Sequence, residues 1–222
     1  MCQISAIGDD KGVRLVVFLI ALMPTLSASA YDYPLSPTAV REAYFLGRRA
    51  DEKTIEFLGK YLKQMPLPDE GPYVSEISLL TPYAQVVLVS WRNAVGYSAQ
   101  QAETDYHSQG DKILVKLTIK FTATYGAMQG TKPDKNAVGK EGLVLRAQDF
   151  WRDFRFELSQ NARRIMARDV HGVPIYDHSG FRGVEVSLVY DSKEVASEET
   201  SVEVVTPDKH HVVARFDLSE LR

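Results

Sequence analysis

Residues 112–125 alternate between apolar and polar side chains. The odd positions are apolar: Ile113, Val115, Leu117, Ile119, Phe121, Ala123 and Tyr125. Most positions between them are polar, among them Lys116, Thr118 and Lys120. Successive side chains of a β-strand point to opposite faces, so this pattern predicts a long strand with one buried face and one wet face. Because β-branched and aromatic residues dominate, we expect an antiparallel strand at the centre of a β domain.

Further alternating runs follow and predict more strands. They lie at 143–146, 154–158, 184–190, 202–204 and 212–218. A change of register near Phe150-Trp151 predicts a bulge or bend. Residues 164–176 predict a strand pair, or one strand bent around His171-Gly172, and the polar stretch 126–142 predicts a surface loop. Thr206-Pro207-Asp208-Lys209 is a turn sequence, so the last two runs predict a hairpin.

The region before the long strand carries helix signals. Ser36-Pro37 and Thr81-Pro82 each place a capping hydroxyl before a proline, as at a helix start. Asp51 predicts the cap of a second helix whose apolar positions run to Met65, and a single helix kinked at Gly47 is the alternative. After Thr81 we expect a helix, although the short apolar run 86–89 is also compatible with a buried strand.

These elements predict an α+β fold, with N-terminal helices followed by a mainly antiparallel β-sandwich-like domain. We divide the chain into a signal peptide (1–30), a mainly helical region packed on the sheet (31–110) and the β-sandwich-like domain (111–222). The 222 residues are enough for one large domain or two small ones.

The first thirty residues have the order of a secretory signal peptide. Lys11 and Arg14 precede an apolar run that ends near Leu26, and Ala28 and Ala30 form the small-x-small pattern of a cleavage site. Cleavage after Ala30 leaves Tyr31 as the first residue. We therefore expect an exported protein, periplasmic or secreted, with no stable membrane span after cleavage. A retained anchor is the alternative.

Composition argues against several functions. The single cysteine is Cys2, so the processed chain has no disulfide, thiolate nucleophile or cysteine zinc site. The net charge of −3 comes from interspersed acids and bases. The sequence lacks the stripe of basic residues that binding to a phosphate backbone requires, which argues against nucleic-acid binding. The sequence has no Gly-x-Ser-x-Gly elbow, His-Glu-x-x-His motif or glycine-rich phosphate loop.

No catalytic residue, metal site or cofactor is predicted. Asp177-His178-Ser179 has the residue types of a catalytic triad, but neighbouring side chains diverge, whereas a triad converges from separate elements. The adjacent His210 and His211 are expected to point to opposite faces of a strand, which favours exposed hairpin residues over metal ligands.

Six residues are candidates for binding. Trp151 belongs to a dense aromatic run that suits either the core or an exposed carbohydrate platform. Arg152 and Arg155 lie in an arginine-rich region that could receive an anion, or simply form a solvated polar face. His171, Asp177 and His178 flank residues 172–176 and are expected to share one loop edge.

Together these features predict a non-enzymatic binding or assembly module of the cell envelope, whose partner is an envelope protein or a glycan. The alternative is an envelope hydrolase that acts on a sugar or ester with carboxylate and histidine groups drawn from loops. A deep pocket with converging acidic or histidine side chains would favour the hydrolase. A flat apolar patch or an unpaired strand edge would favour the module.

Overall fold

The computed structural model describes residues 31–69, 71–93, 95–122, 148–178 and 180–222. Within these ranges the chain forms four α-helices: α1 (Pro37–Arg49), α2 (Glu52–Gly59), α3 (Pro82–Arg92) and α4 (Ala99–Gln109). The strands are β1 (Leu62–Gln64), β2 (Pro72–Leu80), β3 (Lys112–Phe121), β4 (Arg155–Gln160), β5 (Arg163–Ile165), β6 (Asp169–Asp177), β7 (Gly180–Asp191), β8 (Glu199–Val205) and β9 (His211–Asp217). The predicted signal peptide with Ala28 and Ala30, the loop 126–142 and the strand 143–146 lie outside the described residues.

The strands form two antiparallel sheets. The five-stranded sheet has the order β1-β2-β3-β7-β6, and the four-stranded sheet has the order β5-β4-β8-β9. One core joins the two sheets, with Leu117 and Val186 of the first and Leu158 and Val202 of the second all buried in it. This arrangement confirms the predicted α+β class and its sandwich-like antiparallel part.

The alternation that predicted β3 divides the strand between core and surface. Ile113, Val115, Leu117 and Ile119 are all fully buried. Lys116 and Thr118 point to the opposite face of the five-stranded sheet and are half-buried. Strand β3 lies between β2 and β7, so it is the central strand of its sheet, as predicted.

The predicted capping residues begin their helices. Ser36, Asp51 and Thr81 each accept a hydrogen bond from the backbone N–H three residues further on. Ala50 follows α1 in the left-handed conformation, with φ of 50°, and separates α1 from α2. The alternative of one helix kinked at Gly47 is therefore wrong, and so is the buried strand at residues 86–89, which belong to α3.

The prediction that the second helix reaches Met65 is also wrong. Helix α2 ends at Gly59, and Leu62–Gln64 forms β1, which pairs with β2. The side chain of Tyr61 is buried in the core, and its carbonyl accepts a hydrogen bond from the Leu79 N–H. Sheet pairing and burial of this ring outweigh the helical spacing of the apolar residues, a tertiary effect that local pattern does not contain.

The chain crosses from one sheet to the other between β5 and β6. Strand β5 pairs with β4 in the four-stranded sheet, whereas β6 pairs with β7 in the five-stranded sheet. The break lies at residues 166–168, and β6 continues through His171-Gly172 with unbroken pairing to β7. At Phe150-Trp151, where the sequence predicts a bulge or bend, Phe150–Asp153 forms a short 3-10 helix.

The helices α1, α3 and α4 form a second apolar cluster beside the sandwich. Val40, Ala43 and Val87 are buried in this cluster. Ala84 of α3 is buried in the sandwich core instead, and Phe57 of α2 packs against both clusters. Helix α3 therefore connects the helical layer to the sheet.

No helix of the described residues is long and apolar enough to cross a membrane.

Two buried tyrosines should make the fold sensitive to alkaline pH. Burial raises the pKa of Tyr61 to about 12 and the pKa of Tyr106 to about 12, the latter with a contribution from its hydrogen bond to Asp111. Between about pH 10 and pH 12 the unfolded chain loses protons that the folded chain retains, so stability present below this window is lost as pH rises through it. The expected slope is up to about 1.4 kcal/mol per pH unit for each group.

Urea unfolding at a series of pH values measures this loss. Tyr61→Phe and Tyr106→Phe should each flatten the decline, since phenylalanine has no proton to lose. A free energy of unfolding that stays constant from neutral pH to about pH 12 would contradict the assignment.

Candidate binding site

A groove lies between helices α2 and α3 and the outer face of the five-stranded sheet, which is the face directed away from the four-stranded sheet. We call it the outer groove. Its volume is about 340 Å³, within the range of small-molecule sites. The residues that line it are Ile55, Leu58, Gly59, Tyr61, Leu62, Glu76, Ser78, Leu80, Leu88, Trp91, Arg92, Lys116, Thr118 and Glu185.

The floor of the outer groove is polar and comes from three neighbouring strands. Across β2, β3 and β7 the strand register aligns Glu76 with Thr118 and Thr118 with Glu185. The Lys116 ammonium lies 2.5 Å from the Glu185 carboxylate, and the side chains of this pair are 22% and 37% exposed. Partial burial strengthens such a pair relative to one in open solvent, so it fixes both groups in the floor.

The wall of the outer groove is apolar and comes from the helices and the edge strand. Leu58 and Leu88 are half-buried, whereas Ile55 is 60%, Leu62 37% and Trp91 39% exposed. Large apolar side chains that face a polar floor across an open space make the groove amphipathic. Exposed apolar surface gathered in this way is a feature of binding sites.

Local sequence fixes the position of α3 over the sheet. Thr81 directly follows β2 and caps α3, so the strand passes into the helix without a loop. The Gln85 side-chain amide donates to the carbonyls of Leu80 at 3.0 Å and Lys112 at 2.8 Å, which ties α3 to the end of β2 and the start of β3. These bonds anchor the first turn of α3 to the sheet.

A larger cavity lies at the seam between the two sheets, near the turn that joins β8 to β9. Its volume is about 440 Å³, and residues 65–68, 72–74 and 206–213 contribute most of its lining. His211 in this cavity lies 2.5 Å from Glu203, and His210 lies 3.2 Å from Asp208. Turn and loop segments build much of this cavity, whereas strands of a sheet hold side chains more rigidly, so we take the outer groove as the candidate site.

Trp151 and Arg152, both predicted from sequence, lie in the 3-10 helix beside β6. Trp151 is half-buried against the core and packs over Gly172, where an added Cβ would lie 2.4 Å from the indole Nε1. The Arg152 guanidinium lies 5.6 Å from the centre of the Trp151 ring. Neither residue of this pair lines the outer groove.

The other predicted residues are exposed. Arg155 is the first residue of β4, Asp177 is the last residue of β6, and His178 follows it in the turn to β7. The Arg182 Nε donates to the Asp177 carboxylate at 2.5 Å.

His171 lies on the same face of the five-stranded sheet as the floor of the outer groove. It lies opposite Ser187 of β7, and Ser187 lies opposite Lys116 of β3, so all three share one row on the outer face. Two strand spacings, about 10 Å, separate the backbones of His171 and Lys116.

Sequence reasoning did not identify Trp91, Lys116 and Glu185 as a group. The polar positions of β3 and β7 are visible in the alternating pattern, but nothing in it shows that β2 and α3 lie beside them.

Among the described residues, no three histidine, cysteine or acidic side chains gather closely enough to hold a metal ion.

Comparison with known proteins gives no similarity to report: no family model, curated protein or solved structure matches the chain.

Proposed function

We propose that the protein is an exported binding module of the cell envelope and that the outer groove is its ligand site. The observation that carries the proposal is the meeting of an exposed apolar wall with a polar floor in one cavity of about 340 Å³. Strands and helices, rather than long loops, supply nearly all of its side chains, so the site is preorganised. Preorganisation lowers the entropic cost of binding.

Burial of Tyr31 supports the export part of the proposal. Tyr31 directly follows the predicted cleavage pattern Ala28-Ser29-Ala30 and is only 3% exposed, within the sandwich core. Tyr31 is the first core residue among those that the structure describes, so cleavage after Ala30 would leave every described core residue in the processed chain.

Binding suits the groove better than the alternative, hydrolysis of a sugar or ester. Glu76 and Glu185 face the same cavity from either side of Thr118, about 10 Å apart by strand spacing. Glu185 is paired with Lys116, and the Gln64 amide donates to Glu76 at 3.3 Å. Each carboxylate would have to leave its partner within the protein before it could act on a bound substrate.

Photo-crosslinking in exporting cells tests both parts of the proposal. Benzoylphenylalanine replaces Ile55, which is 60% exposed at the groove, or Phe45, which is 57% exposed on α1 and does not line it. After irradiation, the intact mass of the purified protein should correspond to a chain that begins at Tyr31. The variant with the probe at position 55 should carry an additional ligand mass, and the variant with the probe at position 45 should not. A full-length mass would contradict cleavage after Ala30 and favour the retained anchor, and equal labelling at the two positions, or none, would contradict binding in the groove.

A further inference from the structure

We propose that the outer groove binds a short neutral saccharide, with the apolar face of a sugar ring against the Trp91 side of the wall and its hydroxyls on the floor. This inference rests on the proposed function and names the chemical class of its ligand. Three properties of the groove support it: balanced charge, opposed apolar and polar surfaces, and mixed hydrogen-bonding groups.

The charges that line the groove are balanced. Two acidic residues, Glu76 and Glu185, face two basic residues, Lys116 and Arg92. Lys116 and Glu185 form an ion pair with each other, so the groove presents no excess of either sign. An anionic or cationic ligand would have to compete with this internal pair, whereas a neutral ligand leaves it intact.

The wall and floor are complementary to a ligand that is apolar on one side and polar at its edge. Leu62 and Trp91 expose apolar surface close to the polar side chains of Ser78 and Thr118. A wholly apolar ligand would bury the floor groups without hydrogen bonds, which is unfavourable for each of them. A pyranose ring has carbon–hydrogen bonds on its face and hydroxyls around its edge, and therefore satisfies both surfaces.

The floor offers both donors and acceptors at short spacing. Ser78 and Thr118 carry hydroxyls that donate and accept, the Lys116 ammonium only donates, and the Glu76 and Glu185 carboxylates accept. Neighbouring strands place these groups about 4.8 Å apart. Sugar hydroxyls also donate and accept, so adjacent hydroxyls of one ring can bond to side chains of adjacent strands.

Calorimetric titration of the folded protein with maltotriose, cellotriose and triacetylchitotriose tests the inference. We expect at least one trisaccharide to bind and Trp91→Ala to weaken that binding about tenfold, since an aromatic contact contributes about 1.5 kcal/mol. Ser78→Trp, which fills the groove, should abolish binding. Phe45→Ala removes an exposed aromatic ring elsewhere and should leave the affinity unchanged.

Absence of binding by all three sugars at millimolar concentration would overturn the inference, and so would binding that Trp91→Ala and Ser78→Trp leave unchanged. Circular dichroism of each variant ensures that a loss of affinity is not a loss of fold. If the cellular adduct forms at position 55 while no trisaccharide binds, the ligand class is wrong and the proposed binding function stands. If a trisaccharide binds but no adduct forms in cells, the binding module assignment fails instead.

Discussion

Replacement of Gly47 by alanine is expected to lower the free energy of unfolding by roughly 3 kcal/mol. The substitution removes no contact, and the loss comes from a steric clash of the added Cβ. Gly47 is buried in α1 where this helix crosses α3. A Cβ at this position would lie 2.3 Å from the Val87 carbonyl oxygen and 2.8 Å from the Ser90 Cβ. Because the nearer atom belongs to the backbone of a packed helix, it cannot move aside without separating the two helices.

Urea unfolding followed by circular dichroism measures this effect. Gly59→Ala is the matched control, since Gly59 also lies in a helix and no atom comes within 4 Å of its added Cβ. Alanine has the higher helix propensity, so the control should be neutral or slightly stabilising. A Gly47→Ala protein as stable as the control would show that the α1–α3 crossing is looser than the structure indicates.

Replacement of Thr81 by valine is expected to cost about 2–4 kcal/mol, because one hydroxyl makes two buried contacts. Its Oγ1 accepts a hydrogen bond from the Ala84 N–H at 3.2 Å, which caps α3. The same hydroxyl donates to the main-chain carbonyl oxygen of Arg222 at 2.5 Å, where Tyr61 also donates at 2.7 Å. Valine preserves the shape of threonine but removes both bonds.

Ser98→Ala separates the two contributions. Ser98 caps α4 through the Gln101 N–H, and its exposed hydroxyl makes an ordinary cap. Loss of this cap should cost about 1 kcal/mol, measured by the same unfolding experiment. If Thr81→Val costs no more than Ser98→Ala, the contact with Arg222 contributes nothing to stability.

Local signals predicted a large part of the fold. The hydroxyl–proline pairs at Ser36 and Thr81 marked two helix starts correctly, because a cap depends on neighbours within one turn. The alternation of β3 identified its buried face, because successive side chains of a strand point to opposite faces. The hairpin of β8 and β9 was also predicted, since a short turn fixes the pairing of its two strands.

Features that depend on distant contacts were missed. Nothing local shows that Tyr61 leaves the helical pattern to fill the sandwich core, so the end of α2 was placed too late. Val74, Ile77 and Leu79 predict only a short strand or a turn of helix, whereas the structure has the nine-residue strand β2, whose register shift between Val74 and Glu76 interrupts the alternation.

The outer groove was not predictable because its parts are far apart in sequence. Glu76, Lys116 and Glu185 come together only through the order β2-β3-β7, in which β7 follows β3 in the sheet but not in the chain. The polar faces of the individual strands were visible, but their neighbours were not. Trp91 joins them only because α3 folds back over the sheet.

Amide chemical-shift mapping gives a decisive measurement of whether the outer groove is the ligand site. Nitrogen-15-labelled protein is compared before and after addition of a small-molecule extract of the cell envelope, with Ser78→Trp protein as the control. We expect shifts at Glu76, Ser78, Lys116, Thr118 and Glu185 in the native chain and none at these positions in the variant. Shifts confined to other surfaces, or a spectrum that the extract leaves unchanged, would contradict a binding role for the groove.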